Sequence, residues 1–187
     1  MIVVFTGNGK GKTTASLGAA VRAVGRGQKV LMVQFIKGPW KSGEDEIQVA
    51  SSKSQVASGK GGSFELKKMG LGFVGILGDQ LPFEEHQKAA KNALAFCAAA
   101  IENWKLKIKD SYDMVIMDEV NVAVSLKLIT ASEVLDMLKD LPPEKIVLLT
   151  GRDAPQEFLD RADLATEMKE IKHPFNKGQL GKLNIEF

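Results

Sequence analysis

Residues Thr6-Gly7-Asn8-Gly9-Lys10-Gly11-Lys12-Thr13-Thr14 constrain this chain more than any other stretch. They follow an apolar run, Ile2-Val3-Val4-Phe5, that reads as a buried strand, and they precede a segment through Arg26 that reads as a helix. A Gly-rich turn between a strand and a helix, ending in Gly-Lys-Thr, is a phosphate cradle. Its N–H groups and the helix N-terminus face an anion, the Lys adds positive charge, and the Thr hydroxyl can hold Mg²⁺. Such a chain binds a nucleoside triphosphate. The spacing is unusual: counting back from Gly11-Lys12-Thr13 puts Thr6 where the first Gly of the usual motif stands, so the Gly-to-Gly loop is one residue short. Either Thr6 is a harmless change or the shorter loop presents its N–H groups differently from a hydrolase loop.

The remaining elements alternate. Lys29–Phe35 reads as a second strand, Pro82–Trp104 as a long helix, Tyr112–Met117 as a strand running into Asp118-Glu119, and Lys145–Leu149 as a strand running into Thr150-Gly151-Arg152. Thr130 with Glu133 has the form of a capping box opening a helix. Asp153 is placed to cap a short helix through Arg161, and Leu164–Ile171 contains a last strand. Strands apolar throughout and separated by helices predict an α/β fold, a parallel sheet covered on both faces. Its ligand edge, at the C-terminal ends of the strands, collects the loop, Gln34–Trp40, Asp118–Asn121 and Thr150–Asp153. Residues 37–62 are rich in Ser, Lys and Gly and read as a loop with a short helix around Glu44–Ala50.

Length and composition narrow the class. At 187 residues the chain fits one domain, 1–187, with residues 37–72 as a mobile lid. A net charge of +2 gives no nucleic-acid footprint, and the excess of Lys in the middle suits either an anionic ligand or a solvated face. One cysteine, Cys97, excludes an internal disulfide framework and reads as a small core residue in a reducing cytosol. No stretch reaches the length of a membrane span, and the first residues do not read as a signal peptide, so the expectation is a soluble cytoplasmic protein.

The strand-end residues carry the chemistry. Asp118 and Glu119 are placed to approach a Mg²⁺ held by Thr13, and Glu119 could also serve as a base. Lys12 is the expected phosphate contact; Lys10 is a second one or a solvated side chain. Arg152 either neutralises a polyphosphate or pairs at the surface with Asp153 or Glu157. His86 reads as a solvated helix residue, and with His173 forms no metal-ligand spacing. There is no Asn-Lys-x-Asp base-recognition loop, no Cys/His cluster and no Gly-x-Ser-x-Gly.

The order and content of several blocks resemble one family over nearly the whole chain. Beside the loop these are Val33-Gln34-Phe35-Ile36-Lys37-Gly38-Pro39-Trp40-Lys41-Ser42-Gly43-Glu44, Tyr112 to Asn121, Leu149-Thr150-Gly151-Arg152, Ala162-Asp163, Glu167-Met168 and Lys172-His173-Pro174-Phe175. They look like the phosphate-loop ATP:corrinoid adenosyltransferases. The resemblance implies a RecA-like phosphate-loop fold and a homodimer. It implies that Co(I) of a reduced corrinoid, supplied by a transient reductase partner, attacks the 5′-carbon of ATP, with triphosphate leaving under Mg²⁺ (or Mn²⁺). By matching position, Gly7, Asn8, Gly9, Lys10, Gly11, Lys12, Thr13 and Thr14 would bind triphosphate. Thr13 and Glu119, with Asp118, would neighbour the metal. Gln34, Lys37 and Trp40 would line the cleft, Phe73 would press on the corrin, and Arg152 would face the nucleotide. Lys12 and Glu119 would carry catalysis.

Three departures stand out. The family's Gly-x-Gly-Phe-x-Trp is here Gly70-Leu71-Gly72-Phe73-Val74-Gly75, with Gly75 in place of Trp, so displacement of the corrin's axial ligand is left open and Phe73 could be plain core. Lys53–Lys68 is poor in apolar residues and unlike the helix implied there. The tail keeps its Ile185-Glu186-Phe187 ending and not its middle. Another phosphate-loop transferase or ATPase, or a nucleotide-binding regulator without corrin chemistry, remains open from the residues alone.

Overall fold

The computed structural model describes residues 1–46, 61–76, 78–109, 111–179, 181, 182 and 185. Its strands are β1 (Ile2–Thr6), β2 (Lys29–Gln34), β3 (Ser63–Lys68), β4 (Met114–Asp118), β5 (Ile146–Thr150) and β6 (Leu164–Glu167). Its α-helices are α1 (Lys12–Val24), α2 (Phe83–Lys105), α3 (Val120–Ser125), α4 (Ala131–Met137) and α5 (Gln156–Arg161), with 3₁₀ turns at Gly43–Glu46 and Pro174–Lys177. The strands form one parallel sheet in the order β3-β2-β4-β5-β1-β6.

Side-chain alternation along each strand divides the core into two layers. Val3, Val30, Met32, Met114, Ile116 and Leu148 point to one face and pack on Ala20, Ala23 and Val24 of α1. Ile2, Val4, Leu31, Val33, Val115, Met117, Val147 and Leu149 point to the other, against α2, α3, α4 and α5. Both faces are therefore covered, as continuous apolar strands require, and the expected three-layer α/β arrangement is the one found. Cys97 lies fully buried in the second layer, where desolvation raises its thiol pKa beyond the titrating range. None of the described helices is long and apolar enough to cross a membrane.

Register fixes the ligand edge. Gln34 pairs with Asp118, Met117 with Leu149, and Phe5 with Thr150, so β2, β4, β5 and β1 end together. The acid strand β4 and the loop strand β1 are separated by β5 alone, which brings Asp118 and Thr150 alongside the phosphate loop.

The capping box is present: Thr130 Oγ1 accepts from the Glu133 N–H at 3.2 Å, and the Glu133 carboxylate accepts from the Thr130 N–H at 2.7 Å. Two expectations are corrected, at residues 63–68 and at Asp153; one element was not foreseen, and one expectation is tested only at its start. Residues 63–68 form strand β3, paired with β2 residue by residue from Lys29–Ser63 to Gln34–Lys68. Only Phe64 and Leu66 reach the core, on the α1 side, because an edge strand needs little apolar content and its lysines discourage further pairing. Residues 120–125 form α3, hidden in sequence because its short apolar run lacks a helical stripe. Asp153 does not cap α5: Pro155 holds the N-cap position, and Asp153 sits in the preceding turn at φ 54°. The helix expected at 44–50 is a 3₁₀ turn at Gly43–Glu46; its remainder, and much of the expected lid at 37–72, falls outside the described residues.

Candidate active site

Strand β1 runs one residue further than a Gly at its end would suggest. Thr6 pairs with Glu167 in β6, its carbonyl accepts from the Met168 N–H at 2.8 Å, and its hydroxyl oxygen accepts from the Ala154 N–H at 3.2 Å. Thr6 thus belongs to the sheet, and the loop begins at Gly7. Two loop glycines are dictated by close packing: a Cβ on Gly9 would stand 2.7 Å from the Met168 carbonyl oxygen, and one on Gly7 2.5 Å from it. The Gly9 N–H is spent on that same carbonyl, at 2.6 Å. Gly11, at φ 123°, turns the chain into α1. Asn8 lies exposed at the loop tip, and Lys10 is exposed with its ammonium donating to Thr14 Oγ1 at 3.0 Å.

Lys12 reaches back beneath the loop. Its ammonium is buried and donates to the carbonyls of Gly7, at 2.7 Å, and Gly9, at 2.8 Å. Burial lowers its pKa; Glu119 opposes that shift and the charge of Arg152 adds to it. The loop therefore holds a desolvated cation at its centre, where a phosphate oxygen would be attracted strongly.

Asp118 gathers the strand ends. It is fully buried, and its Oδ1 accepts from the hydroxyls of Thr13, at 2.9 Å, and Thr150, at 2.7 Å, while Oδ2 accepts from Gln34 Nε2 at 3.1 Å. Gln34 Nε2 also donates to Glu44 Oε1 at 3.2 Å, and Glu44 forms an ion pair with Lys37. Burial pushes the Glu44 carboxyl up, but the hydrogen bonds and charge of Lys37 and Gln34 hold it below its ordinary value. A chain of polar contacts thus runs from the first turn of α1 to the segment after β2. Glu119 leaves β4 in the left-handed region, φ 61°, with its N–H donating to Thr150 Oγ1 at 3.1 Å. Desolvation, then the neighbouring charge of Asp118, pushes its carboxyl up to about 7, against the pull of Lys12, Lys37 and Arg152.

An aromatic shelf lies beyond Lys37. Residues 36–40 and 69–73 run side by side, with the Met69 and Gly70 N–H groups donating to Gln34 O at 3.0 and 3.1 Å and the Gly72 N–H to Ile36 O at 2.9 Å. A Cβ on Gly38 would stand 2.9 Å from the Gly72 backbone, and one on Gly72 would stand 2.6 Å from the Trp40 ring. Glycine therefore lets Trp40 lie flat across the second segment. Trp40 and Phe73 contact each other with ring centroids 5.8 Å apart and remain 60% and 46% exposed. Two exposed, touching aromatics on the strip that follows β2 form an apolar face suited to a flat ligand. Phe73 is therefore not core.

The whole chain matches one family. The pattern of the family described as ATP:corrinoid adenosyltransferase BtuR/CobO/CobP spans residues 1–187. The chain belongs to the ATP:corrinoid adenosyltransferases. It is similar to corrinoid adenosyltransferase CobA of Salmonella typhimurium, 35% identical over 188 residues that cover 100% of this chain and 85% of that protein. The corrinoid adenosyltransferase of Escherichia coli is 34% identical over 188 residues, with the same coverage. That of Pseudomonas aeruginosa is 30% identical over 189 residues, 100% of this chain and 83% of its own. The chain is a transferase whose substrates are ATP and a corrinoid.

Within this adenosyltransferase the structure brings together Lys12, Thr13, Asp118, Glu119, Gln34 and Lys37. Arg152 is exposed in the turn after β5; its charge reaches Lys12 and Glu119, and among the described residues it forms no ion pair with Asp153 or Glu157. Thr14 is exposed on the first turn of α1. Four contributors were not singled out from sequence: Thr150, Glu44, Asn121 and Asp79. Asn121 is buried and its Nδ2 donates to the carbonyls of Gly151, at 3.0 Å, and Phe5, at 3.3 Å, joining the ends of β5 and β1. A polar residue within the apolar run Val120–Val124, three residues past β4, was the available signal, since burial obliges it to find partners. His86 is corrected: it is buried, and its Nε2 meets Asp79 Oδ2 at 3.0 Å. Asp79 also accepts from the N–H groups of Gly75, at 2.8 Å, and Leu81, at 3.1 Å.

Proposed function

We propose that residues 7–14 hold the triphosphate of ATP while the Trp40–Phe73 shelf holds the corrin, so that the ribose 5′-carbon faces a reduced cobalt. The Co(I) lone pair forms the cobalt–carbon bond as the C5′–O bond breaks, and that bonding pair leaves with triphosphate. Nothing in this displacement requires removal of a proton, so Glu119 needs no role as a base. The barrier lies in separating charge onto the leaving group, and preplaced cations and N–H dipoles lower it. Lys12 supplies one such cation, desolvated in advance. Asn8, Lys10, Gly11 and Thr14 complete the cradle, and Arg152 adds positive charge from the β5 side.

Thr13 and Glu119 fit a divalent cation. The Thr13 hydroxyl donates its hydrogen bond to Asp118, leaving its lone pairs for a metal, and the Glu119 carboxylate makes no hydrogen bond among the described residues. Asp118 already accepts on both oxygens, so it orients Thr13. Mg²⁺ (or Mn²⁺) there would supply positive charge to the departing phosphates. The other ligands of such an ion would be substrate phosphates and water.

The observation that carries this reading is the polar chain Thr13–Asp118–Gln34–Glu44–Lys37, which couples the phosphate loop to the strip bearing Trp40. We further propose a homodimer, a transient reductase partner that delivers Co(I), a reducing cytoplasm as the setting, and closure of residues 37–72 over the cleft to exclude water.

The test is a spectroscopic assay with ATP, Mg²⁺ and chemically reduced cobalamin. A light-sensitive Co–C product with one triphosphate per turnover is the expected result. ADP and phosphate in place of triphosphate, or binding without turnover, would overturn it.

A further inference from the structure

A second basic feature adjoins the phosphate loop and is not used by the chemistry above. After β6 the chain passes the loop at Met168 and turns back through the 3₁₀ turn at Pro174–Lys177. The turn is pinned by Asn176 Nδ2 donating to Glu170 Oε1 at 2.8 Å and by the Gln179 N–H donating to Pro174 O at 3.3 Å. Between this tail and the loop lies a cavity of about 470 Å³, lined by Lys10, Lys172, His173, Gln179, Lys182 and Ile185 among others. That size is within the roughly 300–1,000 Å³ of small-molecule sites.

Among its described lining residues, Lys10, Lys172 and Lys182 carry the charge. The Lys10 ammonium donates to Thr14 Oγ1 at the cavity's edge, and among the described residues none of the three lysines pairs with a carboxylate. In a chain whose net charge is only +2, this is a local concentration of positive charge. Lys10 belongs to both sites: it lines the cavity and stands between Gly9 and Gly11 of the loop. An anion longer than one phosphate could therefore have one end on the loop and the other in the cavity.

We propose that this cavity is a polyphosphate subsite that takes the distal end of a triphosphate whose near end sits on the loop. This rests on the loop being a triphosphate cradle, but it does not require adenosyl transfer. The subsite binds the terminal phosphate of a nucleoside triphosphate and, equally, inorganic triphosphate. It discriminates three phosphates from two.

Titration calorimetry tests the proposal with ATP, ADP and inorganic triphosphate, on the wild-type chain and on the Lys172→Ala/Lys182→Ala double variant. Both lysines are exposed, so the melting temperature should be unchanged. The expected result is about tenfold weaker binding of ATP and of triphosphate, about the loss of two exposed charge contacts, with ADP nearly unaffected. The Lys172→Arg/Lys182→Arg variant should restore binding, and the difference should shrink in high salt. Loss for ATP but not for inorganic triphosphate would restrict the subsite to nucleotide and overturn the shared-anion claim. Unchanged ATP and triphosphate affinities, or an equal loss for ADP, would overturn the subsite itself. A wild-type chain that binds triphosphate in this lysine-dependent way yet forms no Co–C product would sink the adenosyl-transfer reading and leave the subsite standing.

Discussion

The hydroxyl of Thr13 donates to Asp118 Oδ1 at 2.9 Å, across 105 residues of sequence. This bond decides which lone pairs of Thr13 remain for a cation, and Asp118 can fix it because Thr150 and Gln34 hold the carboxylate from the other sides. Asp118→Asn is isosteric but puts an NH₂ where only donors point. The expected cost is roughly 2–3 kcal/mol from unsatisfied buried groups, a fall of about 4–12 °C in Tm for a chain of this size. ATP affinity should fall with it. Wild-type Tm and wild-type ATP affinity in thermal melts and calorimetry would contradict the junction.

Lys12→Ala separates binding from stability. The ammonium is buried and its pKa lowered by desolvation, so its two carbonyl partners only partly offset the cost of burying it. The variant should keep or gain Tm while losing ATP binding by about a hundredfold or more. Wild-type nucleotide affinity would refute the loop assignment.

Much of this was legible in sequence, for definite reasons. The loop, β2, β4 and β5 could be read because continuous apolar runs ending in polar residues have few other solutions in a parallel sheet. Strand β3 was not legible, because an edge strand with two inward residues carries almost no apolar signal. His86 was misread because its partner Asp79 lies in an irregular loop, so no periodicity connects them. Thr6 looked like a defect in the motif until its bonds to Met168 and Ala154 showed it to be sheet. Glu44 and Thr150 were in view as letters, but their roles depend on which strand ends share a register.

The aromatic shelf should serve one substrate. Trp40→Ala and Phe73→Ala remove side chains that are 60% and 46% exposed, so each should change stability by about 0.5 kcal/mol or less. Each should raise the KM for cobalamin about tenfold, the scale of one aromatic's lost burial against a flat ligand. The KM for ATP should stay within about twofold. Equal effects on both substrates would place the shelf elsewhere.

Glu44 gives a pH signature. Its folded pKa lies below the ordinary value because Lys37 and Gln34 outweigh the burial that opposes them. The folded state therefore binds fewer protons than the unfolded one as pH falls. The stabilisation is complete above the unfolded pKa of about 4.3 and is lost as pH drops through the folded value. Wild type should thus be more stable than Glu44→Gln at neutral pH, and the gap should close below about pH 4. A gap in Tm that stays constant from pH 7 to acid would show that the Lys37 pair contributes nothing.

Asp79 ties the segment bearing Gly75 to α2. Its carboxylate accepts from the Gly75 and Leu81 N–H groups and meets His86, and the two backbone bonds are the main reason its pKa lies below the ordinary value. Gly75 is at φ 68° with open space where a Cβ would be, so no side chain of its own holds it in place. Asp79→Ala should free the Gly75 and Leu81 amides, seen as faster hydrogen exchange at those two positions. Because Phe73 is two residues away, cobalamin KM should rise while ATP KM does not. His86→Gln, whose Nε2 can take the place of the imidazole Nε2 as donor to Asp79, should fall between wild type and Asp79→Ala on both readouts. Exchange at Gly75 unchanged in Asp79→Ala would show that the turn holds its shape without the carboxylate.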